Sequence, residues 1–371
     1  MQAATVSQRS FETERSSRAR LRVLLDARKL GDGGIGRYTQ NLMTGLLDTD
    51  EIELTVLCRS DISDTFTGVC CLIDSAKSYS LDEYLLLAKR IDWSAFDLYH
   101  NPHYTLPFGI PIPSIVTVHD LIHVEQPQKW FYPLIASKLI RSSLYRSSAV
   151  LTVSQASRDS IERFYPRSKN KVTVIPNANS QTLDSPVRIS PDVQEPYILS
   201  IISTDKPHKG LQDLLDAFAQ AKKIASKLGA RFARAKLCVV GQGVVKDTSR
   251  LSGDVVFKGA VSEQELSKLY QGALTLIIPS TIEGFCLPAL EAKMMGVPVI
   301  TRPVPAVCEL MSTGDRVCAD MSVDSLGNEI LAALSGALPK SVLPDRGSLE
   351  KFSIRSTTEQ VVRIYQGVAG V

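Results

Sequence analysis

The chain has 371 residues, 44% of them hydrophobic and 22% charged, with a formal net charge of +3. That length exceeds one ordinary core and predicts two domains, each somewhat under about 200 residues. The composition excludes a fibrous or disordered chain, and the charge is too small to mark a nucleic-acid-binding protein. Residues 1–20 mix arginines with glutamates and contain no apolar stretch, so they are expected to form a flexible leader and not a signal peptide. Short runs rich in Val, Ile and Leu then predict strands at 22–27, 53–58, 69–73, 97–100, 114–119, 149–154 and 171–176. The polar, proline-bearing stretch 177–196 breaks this rhythm and reads as linker chemistry. Strands resume at 197–201, 235–240, 254–259, 274–280 and 297–301, with helical patterns at 211–228, 262–271 and 323–336. Strands alternating with helices predict parallel sheets covered by helices, hence two tandem Rossmann-like α/β domains facing across a cleft. The expected divisions are a first domain over 21–180, a linker over 181–196, a second domain over 197–350, and a closing segment over 351–371. In that last segment Val361, Ile364 and Tyr365 share one helical face, which predicts a helix packed back toward the first domain.

Seven cysteines, an odd number without CxxC spacing, fall mostly in apolar runs and read as reduced core thiols of a cytoplasmic protein. No run of about 18 apolar residues predicts a membrane span.

The chemistry concentrates in STIEGFCLPALEAKMMGVPVIT, residues 280–301. Pro288 suits the first turn of a helix that Gly296 and Pro298 end, which sets Glu283 in the preceding loop and Glu291 in the first helical turn. The backbone amides of Gly284, Phe285, Cys286 and Leu287 and the helix dipole make this turn an anion site. Two carboxylates beside an anion site suit hydroxyl groups, so a diphosphate with a sugar at each end fits the pattern. Near the N-terminus, GDGGIGRY (31–38) follows a strand and opens an amphipathic helix, and Gly33 and Gly34 permit close approach of a phosphate.

Residues 280–301 resemble the E-x7-E signature of retaining glycosyltransferases of family 4, which have the GT-B fold. GDGGIGRYTQNL (31–42), VTVHDLIHVEQP (116–127), LTVSQASRDSI (151–161), KVTVIPNA (171–178) and KPHKGLQDLLDAFA (206–219) occur in the order that family shows. The similarity runs over roughly residues 22–366. LDARKLGDGGIGRY together with HDLIH most resembles mannosyl- and deoxyhexosyltransferases of bacterial surface-polysaccharide assembly.

The resemblance implies that Glu283 bonds donor-sugar hydroxyls, Glu291 the nucleotide ribose, and His119 the donor sugar near its anomeric carbon. Gly33, Gly34, Lys206 and Lys209 would meet the diphosphate. Relatives commonly carry an arginine six residues before the phosphate-binding lysine, where this chain has Ser203, so Lys206 is expected to take over part of the clamp. Donor binding would fall mainly to the second domain and the acceptor to the first. The implied activity is transfer of a hexose, mannose from GDP-mannose first, onto a saccharide or lipid-linked saccharide of a surface polysaccharide. A UDP-sugar donor and a sugar-nucleotide-binding scaffold without turnover are the alternatives. An NAD-type oxidoreductase would use the glycine loop but leave Glu283 and Glu291 unexplained.

His100, His103, His119 and His123 lie close in sequence, yet HDLIH lacks the glutamate of HExxH, so neither a metal nor another cofactor is expected. Asp48-Thr49-Asp50 reads as a solvated connection in spite of its DxD form. Residues 129–146 interleave basic and apolar side chains. They suit an interfacial helix giving peripheral contact at the cytoplasmic face of the inner membrane, and equally an ordinary domain helix with basic outer positions.

Overall fold

The computed structural model describes residues 20–61, 68–127, 132–179, 196–202, 204, 206–241, 253–338 and 346–371, with the side chains of 132–135 and 346 excepted. The leader up to residue 19, residues 181–195 of the expected linker, residues 129–131 and Ser203 lie outside the described residues.

Two parallel sheets carry the molecule. The first contains β1 (Leu21–Asp26), β2 (Ile52–Cys58), β3 (Cys70–Ile73), β4 (Leu98–Asn101), β5 (Ser114–Val118), β6 (Ala149–Thr152) and β7 (Val172–Val174), in the order β3-β2-β1-β4-β5-β6-β7. The second contains β8 (Tyr197–Ile201), β9 (Lys236–Val240), β10 (Val255–Gly259), β11 (Leu276–Ile278), β12 (Val299–Thr301) and β13 (Arg316–Val317), in the order β10-β9-β8-β11-β12-β13. Central strands such as β6 and β11 are largely apolar because helices cover both faces of a parallel sheet, while β4, LYHN, is fully buried with a histidine and an asparagine in it. The two-residue β13 has no sequence periodicity to announce it and was not anticipated.

Among the described residues, the helices of eight residues or more are α1 (Gly33–Leu47), α2 (Tyr132–Arg146), α3 (Gln155–Phe164), α4 (Leu211–Lys227), α5 (Glu263–Gly272), α6 (Leu287–Met294), α7 (Val323–Leu334) and α8 (Ile354–Ala369). Helix α4 buries Leu214, Ala217, Phe218, Ala221 and Ala225, one apolar stripe at helical spacing. Serine side chains start α3, α5, α7 and α8, each accepting the amide three residues on and so satisfying a donor with no partner inside the helix. In α2, Ile140 and Leu144 are buried while Lys138 and Arg141 face outward, so the core takes up the apolar side of its described part. Among the described residues no helix is long and apolar enough to cross a membrane.

All seven cysteines are free, but the expectation of core thiols holds only for Cys58, Cys238, Cys286 and Cys318. Cys70 is exposed, and Cys71 and Cys308 are half-buried. The first two lie on β3, an edge strand whose residues are all at least partly open to solvent.

Helix α8 packs on α1 and buries Val361, Val362 and Tyr365. A polar chain fixes it there. The Tyr365 hydroxyl lies 2.6 Å from His100 Nδ1, His100 Nε2 lies 2.9 Å from Thr117 Oγ1, and Tyr38 OH lies 3.2 Å from the same hydroxyl. The C-terminal helix is thereby built into the core of the first sheet. Burial, with His119 nearby, pushes the His100 imidazole down to about 3, so it is neutral in the fold. An unfolded histidine titrates near 6.5. As pH falls below that value, the unfolded state takes up a proton that the folded state refuses, and stability is lost progressively toward pH 3. Urea denaturation should therefore show stability declining from pH 7 to pH 5, with a shallower decline in His100→Gln, which keeps hydrogen-bonding capacity without the titration.

Candidate functional site

In each sheet, strand order reverses at one point, and the crevice at the carboxyl ends of the strands there is the natural ligand site of an open α/β fold. In the second sheet that point lies where β8 pairs β9 on one side and β11 on the other. The loop after β8 carries Lys206 and Lys209, and the loop after β11 carries Glu283. Gly210 joins the two loops. Its φ of +69° is left-handed, and a Cβ there would stand 2.2 Å from the Pro279 carbonyl oxygen. Only glycine permits that approach. Thr281 N donates to the His208 carbonyl at 2.9 Å and Arg302 Nη1 to that of Pro279 at 3.0 Å, bracing both loops.

The approach brings Lys209 to Glu283. Lys209 Nζ donates to both carboxylate oxygens, at 2.7 and 2.9 Å, and the Ser280 hydroxyl donates to Oε1 at 2.7 Å. Burial pushes the Lys209 ammonium down, but the carboxylate beside it outweighs burial and holds it above the ordinary lysine value. Lys206 is exposed, in an extended conformation before Pro207, and starts the short turn Pro207–Lys209.

Glu291 departs from its expected place. Helix α6 begins at Leu287, so Glu291 is its fifth residue and lies in the second turn, where it is buried. The preceding Cys286 has φ of +78°, a left-handed conformation for a residue with a side chain, which costs about 1–3 kcal/mol and lets the helix start at Leu287, one residue ahead of Pro288. Glu291 Oε1 lies 2.5 Å from Nη1 of Arg37, which comes from the first domain, and Oε2 accepts from the Tyr270 hydroxyl at 2.7 Å. Burial pushes the carboxyl up, while Arg37 and the Tyr270 bond oppose it. Gly284, Phe285 and Leu287 line the same turn, with Phe285, Cys286 and Leu287 buried.

The first domain faces this turn with the start of α1. Gly33 and Gly34 are its first residues and are exposed, with nothing within 4 Å of their Cβ positions. His119 follows β5, packs edge-to-face on Tyr38 at 4.8 Å, and has Nε2 at 2.9 Å from the Pro102 carbonyl. Burial lowers its pKa against that hydrogen bond. Its own carbonyl accepts from Ser157 Oγ at 2.9 Å within the first domain, and Ser154 Oγ and Ser157 Oγ both donate across the seam to the Gly284 carbonyl, at 2.7 and 3.2 Å. From the far side, the Glu309 carboxylate accepts the amides of Gln155 and Ala156 at 2.9 and 2.7 Å, capping α3 across the domain boundary. A cavity of about 390 Å³ opens at this seam, lined by Asp120, Glu125, Ser157 and Arg163 from one side and Thr281, Glu283 and Ala306 from the other.

The structure thus pairs Lys209 with Glu283 and Arg37 with Glu291 and sets Gly284 against the His119 carbonyl; of the expected site residues Glu283 lines the cavity, Glu291 is buried, and Gly33, Gly34 and Lys206 are exposed. Sequence reasoning missed Arg37 and Tyr270. Arg37 stood inside GGIGRY, one turn beyond the glycine pair, and that placement was the available signal. Tyr270 lies within the helical pattern 262–271, which carries no local signal of its partner. The other histidines are spoken for: His100 as described, and His103 with Nε2 at 3.0 Å from the Tyr79 hydroxyl. Among the described residues no group of three or more His, Cys, Asp and Glu could hold a metal ion. Asp48 to Asp50 form the turn between α1 and β2, and Asp50 pairs with Arg20 at the surface.

The Glycosyltransferase Family 4 model matches residues 32–178 and the group 1 glycosyl transferase model matches residues 187–343. The chain is a glycosyltransferase of the GT-B fold. O-antigen chain mannosyltransferase B of Escherichia coli is 27% identical to it over 370 residues, covering 90% of this chain and 96% of that protein. The O-antigen chain mannosyltransferase RfbU of Salmonella typhimurium is 26% identical over 313 residues, 79% of this chain and 85% of that protein. Sucrose-phosphate synthase from Thermosynechococcus elongatus has the same fold as this glycosyltransferase, with a TM-score of 0.69 at 17% identity over 95% of this chain and 100% of that one. Anabaena HepE in complex with UDP and glucose gives 0.68 at 16% identity, over 93% and 99%.

The seam of this glycosyltransferase has no slack at Gly284. A Cβ there would stand 2.2 Å from the His119 carbonyl oxygen and 3.0 Å from its carbon, backbone atoms that cannot turn aside. Gly284→Ala is expected to part the domains, seen as a larger radius of gyration in small-angle scattering. Transfer should fall by about tenfold or more, since displacement of reacting groups by about 1 Å is that damaging.

Proposed function

We propose that the protein is a retaining mannosyltransferase that takes mannose from GDP-mannose and places it on a saccharide or lipid-linked saccharide of a surface polysaccharide. The observation that carries the reading is the paired state of the two carboxylates of the E-x7-E stretch: Glu283 is held by Lys209 within the second domain, and Glu291 by Arg37 of the first. A carboxylate held by a cation is oriented to accept from hydroxyl groups, and the cations beside it suit the diphosphate between them. In this reading Glu291 binds the ribose, Glu283 the donor hexose, His119 approaches the sugar at its anomeric carbon, and Lys209, with Lys206, Gly33 and Gly34, stabilises charge on the departing diphosphate. No metal is required, since the cations and helix N-termini stabilise that charge directly. The choice of mannose rests on the names of the relatives. A UDP-sugar donor is the second reading, favoured by HepE having been solved with UDP-glucose.

Release of nucleoside diphosphate from a panel of GDP- and UDP-sugars, with and without short mannose-containing acceptors, tests the assignment. GDP-mannose should give the highest acceptor-dependent rate, and silence with every donor would leave a binding scaffold. Glu291→Ala should chiefly raise the donor KM and Glu283→Ala chiefly lower kcat, each by about 10- to 100-fold, the equivalent of about 1.5–3 kcal/mol for a charged hydrogen bond.

A further inference from the structure

Glu291 is closed to any ligand in this state. Its side chain is 2% exposed, and its two oxygens are taken by Arg37 and Tyr270. The group that meets the cleft is Arg37, whose side chain is 27% exposed and whose other nitrogen reaches the exposed Glu263 at 3.4 Å. Arg37 and Glu291 are each the fifth residue of their helix, α1 and α6. Helical side chains lean toward the N-terminus, so both charges project back over the helix starts, one from each domain. A cation near a helix N-terminus is modestly disfavoured by the dipole of its own helix, which an anion in front of it offsets. Glu291 is that anion here. On the second domain Lys209 is bound by both oxygens of Glu283, and the exposed Lys206 is the other cation of that loop.

We propose that Arg37 is a positioning residue that latches the two domains through Glu291 until a nucleotide arrives, then yields Glu291 to the ribose and turns to the diphosphate oxygens. It adds a cation from the first domain to Lys206 and Lys209 of the second. The exchange keeps every charge partnered: the ribose hydroxyls donate to the carboxylate that Arg37 leaves, and the diphosphate takes the place of that carboxylate before the guanidinium. The planar guanidinium suits this transfer because the same fork fits a carboxylate and a phosphate. This inference rests on the reading of Glu291 as the ribose-binding residue.

The two halves of the exchange predict opposite effects in one variant. Isothermal titration of the full chain with guanosine and with GDP, and with uridine and UDP as the alternative pair, separates them. Arg37→Ala removes the competitor for Glu291, so the nucleoside should bind about 3- to 10-fold more tightly. It also removes a phosphate partner, so the nucleoside diphosphate should bind about 10-fold more weakly and kcat should fall. Arg37→Lys should restore part of the diphosphate affinity, and it serves as the test if Arg37→Ala fails to fold. A residue that merely held the domains together would weaken both ligands or neither, and that result overturns the proposal. Glu291→Ala is titrated in parallel. If it weakens the nucleoside while Arg37→Ala does not tighten it, the latch is wrong and the ribose assignment stands. If Glu291→Ala leaves nucleoside binding unchanged, the ribose assignment fails and the latch fails with it.

Discussion

The contact of Gly284 with the carbonyl of His119 sets the geometry on which the rest of the cleft depends. Two parallel sheets, each with a crevice at its strand ends, make an interdomain site only if they face each other at bonding distance. A residue without a side chain on one domain, a bare carbonyl on the other, and the hydroxyls of Ser154 and Ser157 bridging them bring the backbones that close. Glu309 adds a cap on the first amides of α3, so the second domain also completes a helix that belongs to the first. With the seam held there, an arginine of α1 reaches a glutamate of α6, although they are 254 residues apart in the chain.

The charges in this cleft are organised as exchangeable pairs. A buried carboxylate left alone would be strongly destabilising, because desolvation exceeds what an apolar surround returns. Glu291 avoids this through Arg37 and Tyr270, and Glu283 through Lys209 and Ser280. On the proposed reading, a nucleotide sugar substitutes for both halves of each pair at once, its hydroxyls facing the glutamates and its phosphates the cations. Each pair therefore holds its polar groups oriented in bonds of the kind that hydroxyls and phosphates also make.

Most of the architecture was legible because parallel strands buried on both faces leave continuous apolar runs, as in LRVLLD and YILSI, and because proline and glycine punctuate the turns. The loop position of Glu283 and the helical position of Glu291 followed from Pro288. The turn in which Glu291 lies did not, because the left-handed Cys286 is a product of packing and has no signature in its residue type. Sequence also gave no access to pairings across the seam. The placement of Arg37 just beyond the glycine pair marks it, but nothing local names Glu291 as its partner, since the partner is set by how two domains dock. The exposure of Cys70 had a similar cause: an apolar run reads alike whether its strand is central or at the edge.

The C-terminal helix has a consequence for how such enzymes can be recombined. Residues 354–369 follow the second sheet in the chain, yet Tyr365 bonds His100 in the heart of the first, and Asn179 N bonds the Phe352 carbonyl just before the helix begins. The boundary between modules is therefore crossed twice by the polypeptide. A chimera that exchanges nucleotide-binding halves between relatives needs two junctions, one after β7 and one ahead of α8. A single cut at the linker would import a foreign helix into the core beneath β4, with an unmatched partner for a histidine that water never reaches.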